Sequence, residues 1–545
     1  MELSPSGHTD TFCRDNLPPF EQWPEFRFEL SELQYSERLN AAEALLDGTI
    51  ATFGADRACL RSATETWSYG DVLHRANQVA QVLTEDFGLV PGNRVLLRGP
   101  NNPWLVAAWF GVLKAGGVAV TTMALLRTNE IRVLAELTGP ALAICDHRFT
   151  DELAPLANAR MPMLSYDGTE QDDLVARCAS KSGAFNAVAT AADDVALLAP
   201  TSGTTGQPKA TMHFHRDILA IADTFSAQVL RPLPDDVFAG TPPLGFTFGL
   251  GGAVVFPMRC GASTLLLERA TPVELADAIA AHGVSVVFTA PTAYKAMLTA
   301  GAAPQLRSLR RCVSAGEHLP ATVSEEFHHQ TGIRIIDGIG ATELLHIFIS
   351  AADEDIRPGS TGKPVPGYQA RIVDGKGVEV PDGTPGRLAI KGPTGCRYLA
   401  DERQARYAQD GWNLTGDTYI RDSDGYFWYQ ARSDDMIVSS GYNIAAPEVE
   451  QALLGHPEVA EAAVIDAPDE ARGSLVKAYV VLAEGIAGHP AKARELQDFV
   501  KQAIAPYKYP RAIEFVTELP RTRTGKIQRY RLREREGDPA TVQSR

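Results

Sequence analysis

Up to about residue 430, short apolar runs of strand type alternate with helical patterns. Arg94-Val-Leu-Leu-Arg98 and Val284-Ser-Val-Val-Phe-Thr289 have the strand pattern, and Trp104 to Lys114 and Pro272 to His282 the helical one. Such alternation predicts parallel sheets covered by helices. From Gly367 to Ile390 the pattern changes to short strands broken by Asp-Gly and Pro-Gly turns, which predicts a small antiparallel unit. At 545 residues the chain exceeds one ordinary core, so several packed lobes are expected. The best boundary is Arg432-Ser-Asp-Asp435. Beyond it, Pro447 to Leu454 and Glu495 to Ile504 read as helices, and Val459 to Ile465 and Val476 to Leu482 as strands. The expected fold class is therefore α/β. A large N-terminal domain (1–433) of helix-covered parallel sheets, with its small antiparallel unit, is followed by a smaller α+β C-terminal domain (434–545).

Hydrophobic residues make up 45% and charged residues 22% of the chain, the proportions of an ordinary globular protein. The net charge of −16 argues against a nucleic-acid partner, because phosphate backbones are bound by basic faces. No apolar run approaches the ~20 residues of a membrane span, so no membrane association is expected. The segment Met1 to Asp15 is polar and lacks an apolar signal core, and a cytoplasmic location is the expectation. The seven cysteines are scattered and show no Cys-x-x-Cys spacing, which predicts reduced thiols and no structural zinc.

One loop carries unusual chemistry. Thr201-Ser-Gly-Thr-Thr-Gly-Gln-Pro-Lys209 follows Val195 to Pro200, which reads as a buried strand. Backbone N–H groups, hydroxyls and one cation in such a loop can wrap a polyphosphate. It is not a Walker loop, because no Gly-Lys-Ser/Thr opens a helix after it. Downstream come Asp337-Gly-Ile-Gly-Ala-Thr-Glu343, Thr415-Gly-Asp417, Arg432-Ser-Asp-Asp435 and Pro520-Arg-Thr-Arg-Thr-Gly-Lys526. In this order the five motifs resemble the core motifs of the adenylate-forming superfamily, which includes acyl- and aryl-CoA ligases, peptide-synthetase adenylation domains and luciferases. The resemblance runs from the N-terminal region to Arg531.

The resemblance implies ATP, Mg²⁺ and coenzyme A as cofactors. A carboxylate would attack the α-phosphate of ATP and expel pyrophosphate, so the site must neutralise phosphate charge and hold the reactants in line. Thr201, Ser202, Gly203, Thr204, Thr205 and Gly206 would cradle the β- and γ-phosphates, with Lys209 closing the loop. Glu343 is the candidate metal ligand, since Mg²⁺ takes one or two carboxylates plus phosphate oxygens and water. Thr342 would touch the α-phosphate. Gly316, Glu317, Asp337, Gly338 and Ile339 would line the adenine slot. The superfamily usually has an aromatic residue where this chain has Ile339, so that face of the adenine would be aliphatic. Asp417 would accept both ribose hydroxyls and Arg432 would brace the sugar. Lys526 would bridge the carboxylate and the α-phosphate in the transition state. For the second step the smaller domain would swing about Asp434. Lys526 would withdraw and Ser439-Ser-Gly-Tyr442 would arrive, with Gly441 and Tyr442 lining the path of the pantetheine arm.

The acid should lie near Phe246, Thr247, Phe248 and Gly249, near Ala315, and near Gly340. Two phenylalanines with glycines between them suit a flat ring. The block Asp337 to Phe348 resembles benzoate-CoA ligases. Asp10 to Pro19, with Phe288 to Tyr294, is similar to the 2-aminobenzoate branch. His346 is placed to orient a ring substituent or the carboxylate, whereas His213 and His215 are expected to be structural. The expected function is an aryl-CoA ligase acting on 2-aminobenzoate (anthranilate). A benzoate or hydroxybenzoate ligase, and an adenylation enzyme loading a carrier protein in trans, are the alternatives. The oligomeric state stays open, a homodimer included.

Overall fold

The computed structural model describes residues 3–202, 208–432, 436–439, 442–469, 473–504, 508–521 and 527–537. The chain divides into two compact units that interleave in sequence. The larger comprises Met1–Arg371, Ala389–Thr415 and Asp424–Phe427, and the smaller Ile372–Leu388, Gly416–Ser423 and Trp428–Arg545.

The larger unit holds two sheets. In the first the strands lie in the order Met163–Tyr166, Leu142–Asp146, Arg94–Gly99, Val118–Met123, Val195–Ser202 and Pro208–Phe214. The first five pair in parallel and the last is antiparallel. Every residue of Arg94–Gly99 and Leu142–Asp146 is buried, as strands covered on both faces must be. The second sheet runs Lys363–Pro364, Ile347–Ser350, Ile335–Gly340, Arg311–Ser314, Val286–Thr289, Val237–Gly240, Ser263–Leu265, Ala58–Arg61 and Thr66–Ser68. Its six middle strands from Ile335–Gly340 to Ala58–Arg61 are parallel.

Local chemistry explains where the covering helices begin. Helix Pro103–Lys114 starts where Asn102 Oδ1 accepts from the Leu105 N–H at 2.9 Å, with Pro103 in the first turn. Helix Pro272–His282 opens on a capping box. The Thr271 hydroxyl accepts from the Glu274 N–H, and the Glu274 carboxylate accepts from the Thr271 N–H. It closes on Gly283, at φ 62°. This helix packs Leu275, Ala276 and Ile279 against Tyr294, Met297 and Phe327 in one buried cluster.

Residues 372–388, part of the Gly367–Ile390 stretch expected to be an antiparallel unit of the larger domain, group with the smaller unit and form an antiparallel turn. The Val380 N–H donates to the Ile372 carbonyl and the Asp374 N–H to the Val378 carbonyl, each at 2.9 Å. Val459–Asp469 and Gly473–Leu482 form a long antiparallel pair, and Ala512–Phe515 adds to it in parallel. Helices Ala446–Leu454 and Pro490–Ala503 contribute Val449, Leu453, Leu496 and Val500 to its core. The second of these starts earlier than its apolar pattern suggested. His489 Nδ1 accepts from the Lys492 N–H at 3.2 Å, and Pro490 fits the first helical position.

All seven cysteines are unpaired; six are buried and Cys260 is half-buried. Burial pushes the thiols of Cys13, Cys145, Cys178 and Cys260 up to about 12. Among the described residues, no helix is long and apolar enough to cross a membrane.

Candidate active site

The Thr201–Lys209 loop is shorter than its sequence suggested. Strands Val195–Ser202 and Pro208–Phe214 form a hairpin in which Thr201 lies opposite Lys209 and Ser202 opposite Pro208. The flanking residues thus belong to the ladder, and strand, not helix, continues after Lys209. Gly203, Thr204, Thr205 and Gly206 lie outside the described residues, as do Asp434, Gly441 and Lys526 and the side chains of Ser202, Arg432 and Tyr442.

The hairpin delivers Lys209 to Glu343. The Lys209 ammonium lies 2.9 Å from Glu343 Oε1, and the Tyr398 hydroxyl donates to the same oxygen at 2.5 Å. Lys209 also sits 4.0 Å from the centre of the Tyr398 ring. Burial opposes charge on Glu343, but the Lys209 cation and the two hydrogen bonds outweigh it. The carboxyl stays below its ordinary pKa and is ionised at neutral pH. One buried, ionised carboxylate is the donor that Mg²⁺ combines with phosphate oxygens, so this site fits that ion.

Thr342 is braced from behind. His213 Nε2–H donates to the Thr342 carbonyl at 2.8 Å, and His213 Nδ1 lies 3.8 Å from the Asp217 carboxylate. Asp217 in turn pairs with Arg397, and both side chains are fully buried. Arg397 is stacked 3.8 Å over the Phe214 ring and 4.7 Å from that of Phe26. His215 accepts from the Ala41 N–H at 3.1 Å. Both histidines are embedded in backbone contacts, in keeping with the expected structural role.

Parallel pairing sets Ser314 beside Asp337, so Ala315, Gly316 and Glu317 leave one strand next to where Asp337 and Gly338 continue in its neighbour. This is the carboxyl edge of the sheet, where open α/β folds bind ligands. Burial drives the Asp337 carboxyl up to about 8, against the opposing pull of the Ser314 hydroxyl and the Gly338 amide. Its Oδ1 is shielded from solvent and has no hydrogen-bond partner. Ile339 pairs with Ile349 across the hairpin and is half-buried. Asp417 sits in strand Trp412–Arg421, in the part assigned to the smaller unit.

His346 stands in an aromatic box. After the short turn Thr342–Leu344, Leu345 adopts φ 71°, a strained conformation for a branched, buried residue. The next residue, His346, is 3% exposed, with Phe256, Phe225 and Phe248 ring centres at 4.5, 5.6 and 5.6 Å and Phe288 at 6.3 Å. A Cβ at Gly251 would come within 2.3 Å of His346 Cδ2, so only glycine leaves the ring its place. Thr247 and Gly249 follow Phe246 in the short helix Thr247–Leu250, and a Cβ at Gly340 would lie 2.9 Å from the His346 carbonyl. The structure therefore gathers Phe248, Gly340 and His346. Phe246 caps the helix half-buried and, among the described residues, stacks on no other ring.

Neither nitrogen of His346 makes a well-formed hydrogen bond, and the Phe248 backbone is its nearest polar partner. Burial lowers its pKa from 6.5 to about 3, against a weaker pull from the Phe248 backbone, so the ring is neutral. Below pH 6.5 the unfolded chain therefore binds a proton that the folded protein does not. Stability is full above that pH and is lost as pH falls toward 3. His346→Leu removes this contribution. The variant's Tm should fall less than the wild type's between about pH 7 and pH 5, and parallel Tm profiles would count against a buried neutral ring.

Tyr398, Phe225 and Phe256 are members of this site that the sequence did not mark. Tyr398 lies 55 positions from Glu343 along the chain, and only the fold joins them.

The model of the AMP-binding enzyme family matches residues 46–398, and that of the AMP-binding enzyme C-terminal domain matches 448–526. A benzoate–CoA ligase of Thauera aromatica is 35% identical over 512 residues, 92% of this chain and 97% of that protein. The crystal structure of the anthranilate CoA ligase AuaEII in complex with anthranoyl-AMP superposes with a TM-score of 0.86 at 34% identity. That match covers 93% of this chain and 99% of the other. A benzoate CoA ligase from Burkholderia xenovorans LB400 gives a TM-score of 0.81 at 32% identity, over 91% of this chain and all of that one (100%).

Proposed function

The chain belongs to the AMP-binding enzyme family, and from that premise we propose that it is an AMP-forming aryl-CoA ligase whose preferred acid is 2-aminobenzoate. The acid and ATP give aryl-AMP and pyrophosphate, and coenzyme A then displaces AMP to form the thioester. Thr201 and Lys209 on the hairpin meet the phosphates, and Ser202, Gly203, Thr204, Thr205 and Gly206 would cradle them. Glu343 would hold Mg²⁺, which when bound offsets phosphate charge. Thr342 meets the α-phosphate, the turn at Gly316 and Glu317 flanks the adenine with Asp337 and Ile339, and Asp417 takes the ribose. Lys526 serves the first step, and Asp434 is the pivot that brings Gly441 and Tyr442 to the second.

The observation that carries the choice of acid is His346. Its two shielded nitrogens sit among four phenylalanines, with no well-formed hydrogen bond and only a weak pull from the Phe248 backbone. A neutral imidazole offers one donor and one acceptor. An ortho amine can donate to it, and benzoate leaves it unpaired, at a cost of about 1–3 kcal/mol for a buried polar group. A hydroxybenzoate offers similar partners and is the second reading, supported by a 3-hydroxybenzoate–CoA ligase of Aromatoleum sp. (strain CIB) at 32% identity over 511 residues.

The test is kcat/KM for 2-aminobenzoate, benzoate, 3-hydroxybenzoate and octanoate with saturating ATP and coenzyme A. 2-Aminobenzoate should exceed benzoate by about 10- to 200-fold, the range over which one small group is discriminated in an apolar pocket. Octanoate should be near background. A preference for octanoate over every aromatic acid would overturn the aryl reading.

A further inference from the structure

Asn101 follows strand Arg94–Gly99 and is 6% exposed. Its side-chain amide donates to the Pro242 carbonyl at 3.0 Å and accepts from the Leu244 N–H at 2.8 Å. These two bonds grip both ends of Pro242-Pro243-Leu244. Neither proline has an N–H, so the Leu244 amide is the one backbone donor this stretch possesses, and Asn101 takes it. The chain then passes through Gly245 and Phe246 into helix Thr247–Leu250. A Cβ on Gly245 would lie 2.7 Å from the Thr122 carbonyl, so the loop rests directly on strand Val118–Met123.

Beside the same loop is a small apolar cavity whose lining includes Val106, Trp109, Thr121, Leu244, Gly245 and Val254. Close packing usually fixes a loop's height. Gly245 already rests on the strand, but the packing beside Leu244 is incomplete, and there the bonds from Asn101 bear that task.

We propose that Asn101 is a positioning residue that sets the depth of the aryl slot, and that the cavity beside the loop, with room for about one water, is the slack into which Leu244 would settle if Asn101 let go. The proposal rests on the reading of Phe246–Gly249 as the slot for the acid. Asn101 touches neither acid nor nucleotide. Its effect falls on which rings are accepted.

The experiment compares wild type, Asn101→Ala, Asn101→Ser and Asn101→Ala/Val106→Leu with 2-aminobenzoate, benzoate and naphthalene-2-carboxylate. KM for ATP is measured alongside. In Asn101→Ala, the aminobenzoate KM should rise about 10-fold, as expected for two lost hydrogen bonds, while KM for ATP stays within about 2-fold. The kcat/KM ratio of naphthalene-2-carboxylate to benzoate should rise about 10-fold, the scale on which apolar pockets discriminate by size. Val106→Leu fills the cavity and should return that ratio toward wild type. Asn101→Ser should show the same pattern, more weakly. An unchanged ratio, a parallel rise of both KM values, or loss of folding in both single variants would overturn the proposal. A wild type that activates no aromatic acid would instead speak against the aryl reading itself.

Discussion

Arg397→Met should destabilise the larger unit by about 3–5 kcal/mol, the usual cost of removing one partner from a buried ion pair. Asp217 would remain, fully buried, with the Phe214 N–H at 3.0 Å, the nearby His213 and the more distant Arg216 cation left to offset its charge. Burial acts on the Asp217 carboxyl to raise its pKa, and the Arg397 cation is the first of the groups that bring it below the ordinary value. Without that cation the carboxyl should titrate upward. The folded variant would then take up a proton that the unfolded chain does not hold at neutral pH. Its deficit against wild type should therefore be larger near pH 8 than near pH 5. Urea unfolding at the two pH values measures this. Adding Asp217→Leu should recover part of the loss, because two apolar side chains replace a pair more gently than one orphaned charge does. A deficit under about 1 kcal/mol, the scale of a surface ion pair, would mean that solvent reaches the pair.

Lys526→Ala should lower aryl-adenylate formation by about 10²–10³-fold, the scale of one preorganised charge-stabilising group. It should leave thioester formation from supplied aryl-adenylate near the wild-type rate, since this lysine would be withdrawn before the second step. Lys526 lies outside the described residues, so the prediction rests on its motif and on the family match that ends at residue 526. Pyrophosphate release reports the first half-reaction, and thioester absorbance from synthetic adenylate reports the second. Equal losses in both would remove the case for two successive active arrangements.

Much of the frame could be read residue by residue. Pro272 to His282 announces its helix because its apolar pattern is local, and Arg94 to Arg98 announces its strand because both faces are buried. Glu343 and Lys209 stand out because their motifs are short and contiguous. That they meet each other, with Tyr398, depends on a hairpin and on a segment far along the chain. The Thr201–Lys209 loop looked longer than it is because hydroxyl- and glycine-rich residues carry no sign of ladder pairing. His346 was visible as a polar residue in an apolar run. Its four ring neighbours come from three stretches of chain, Phe248 and Phe256 sharing one, and only packing assembles them. Asn101 gave no signal, since a buried asparagine that grips a backbone resembles any loop asparagine in sequence.

The buried cysteines bear on how such a catalyst survives its own products. An acyl-adenylate and a thioester are both acylating agents, and a thiolate is the nucleophile they modify fastest. With every thiol raised by burial, four of them to about 12, and six of the seven cysteines buried, almost no thiolate is on offer at neutral pH. The pantetheine thiol then competes with no sulfur of the host. Intact mass after prolonged turnover should show no aryl adduct that hydroxylamine removes, and self-acylation is avoided by placement alone.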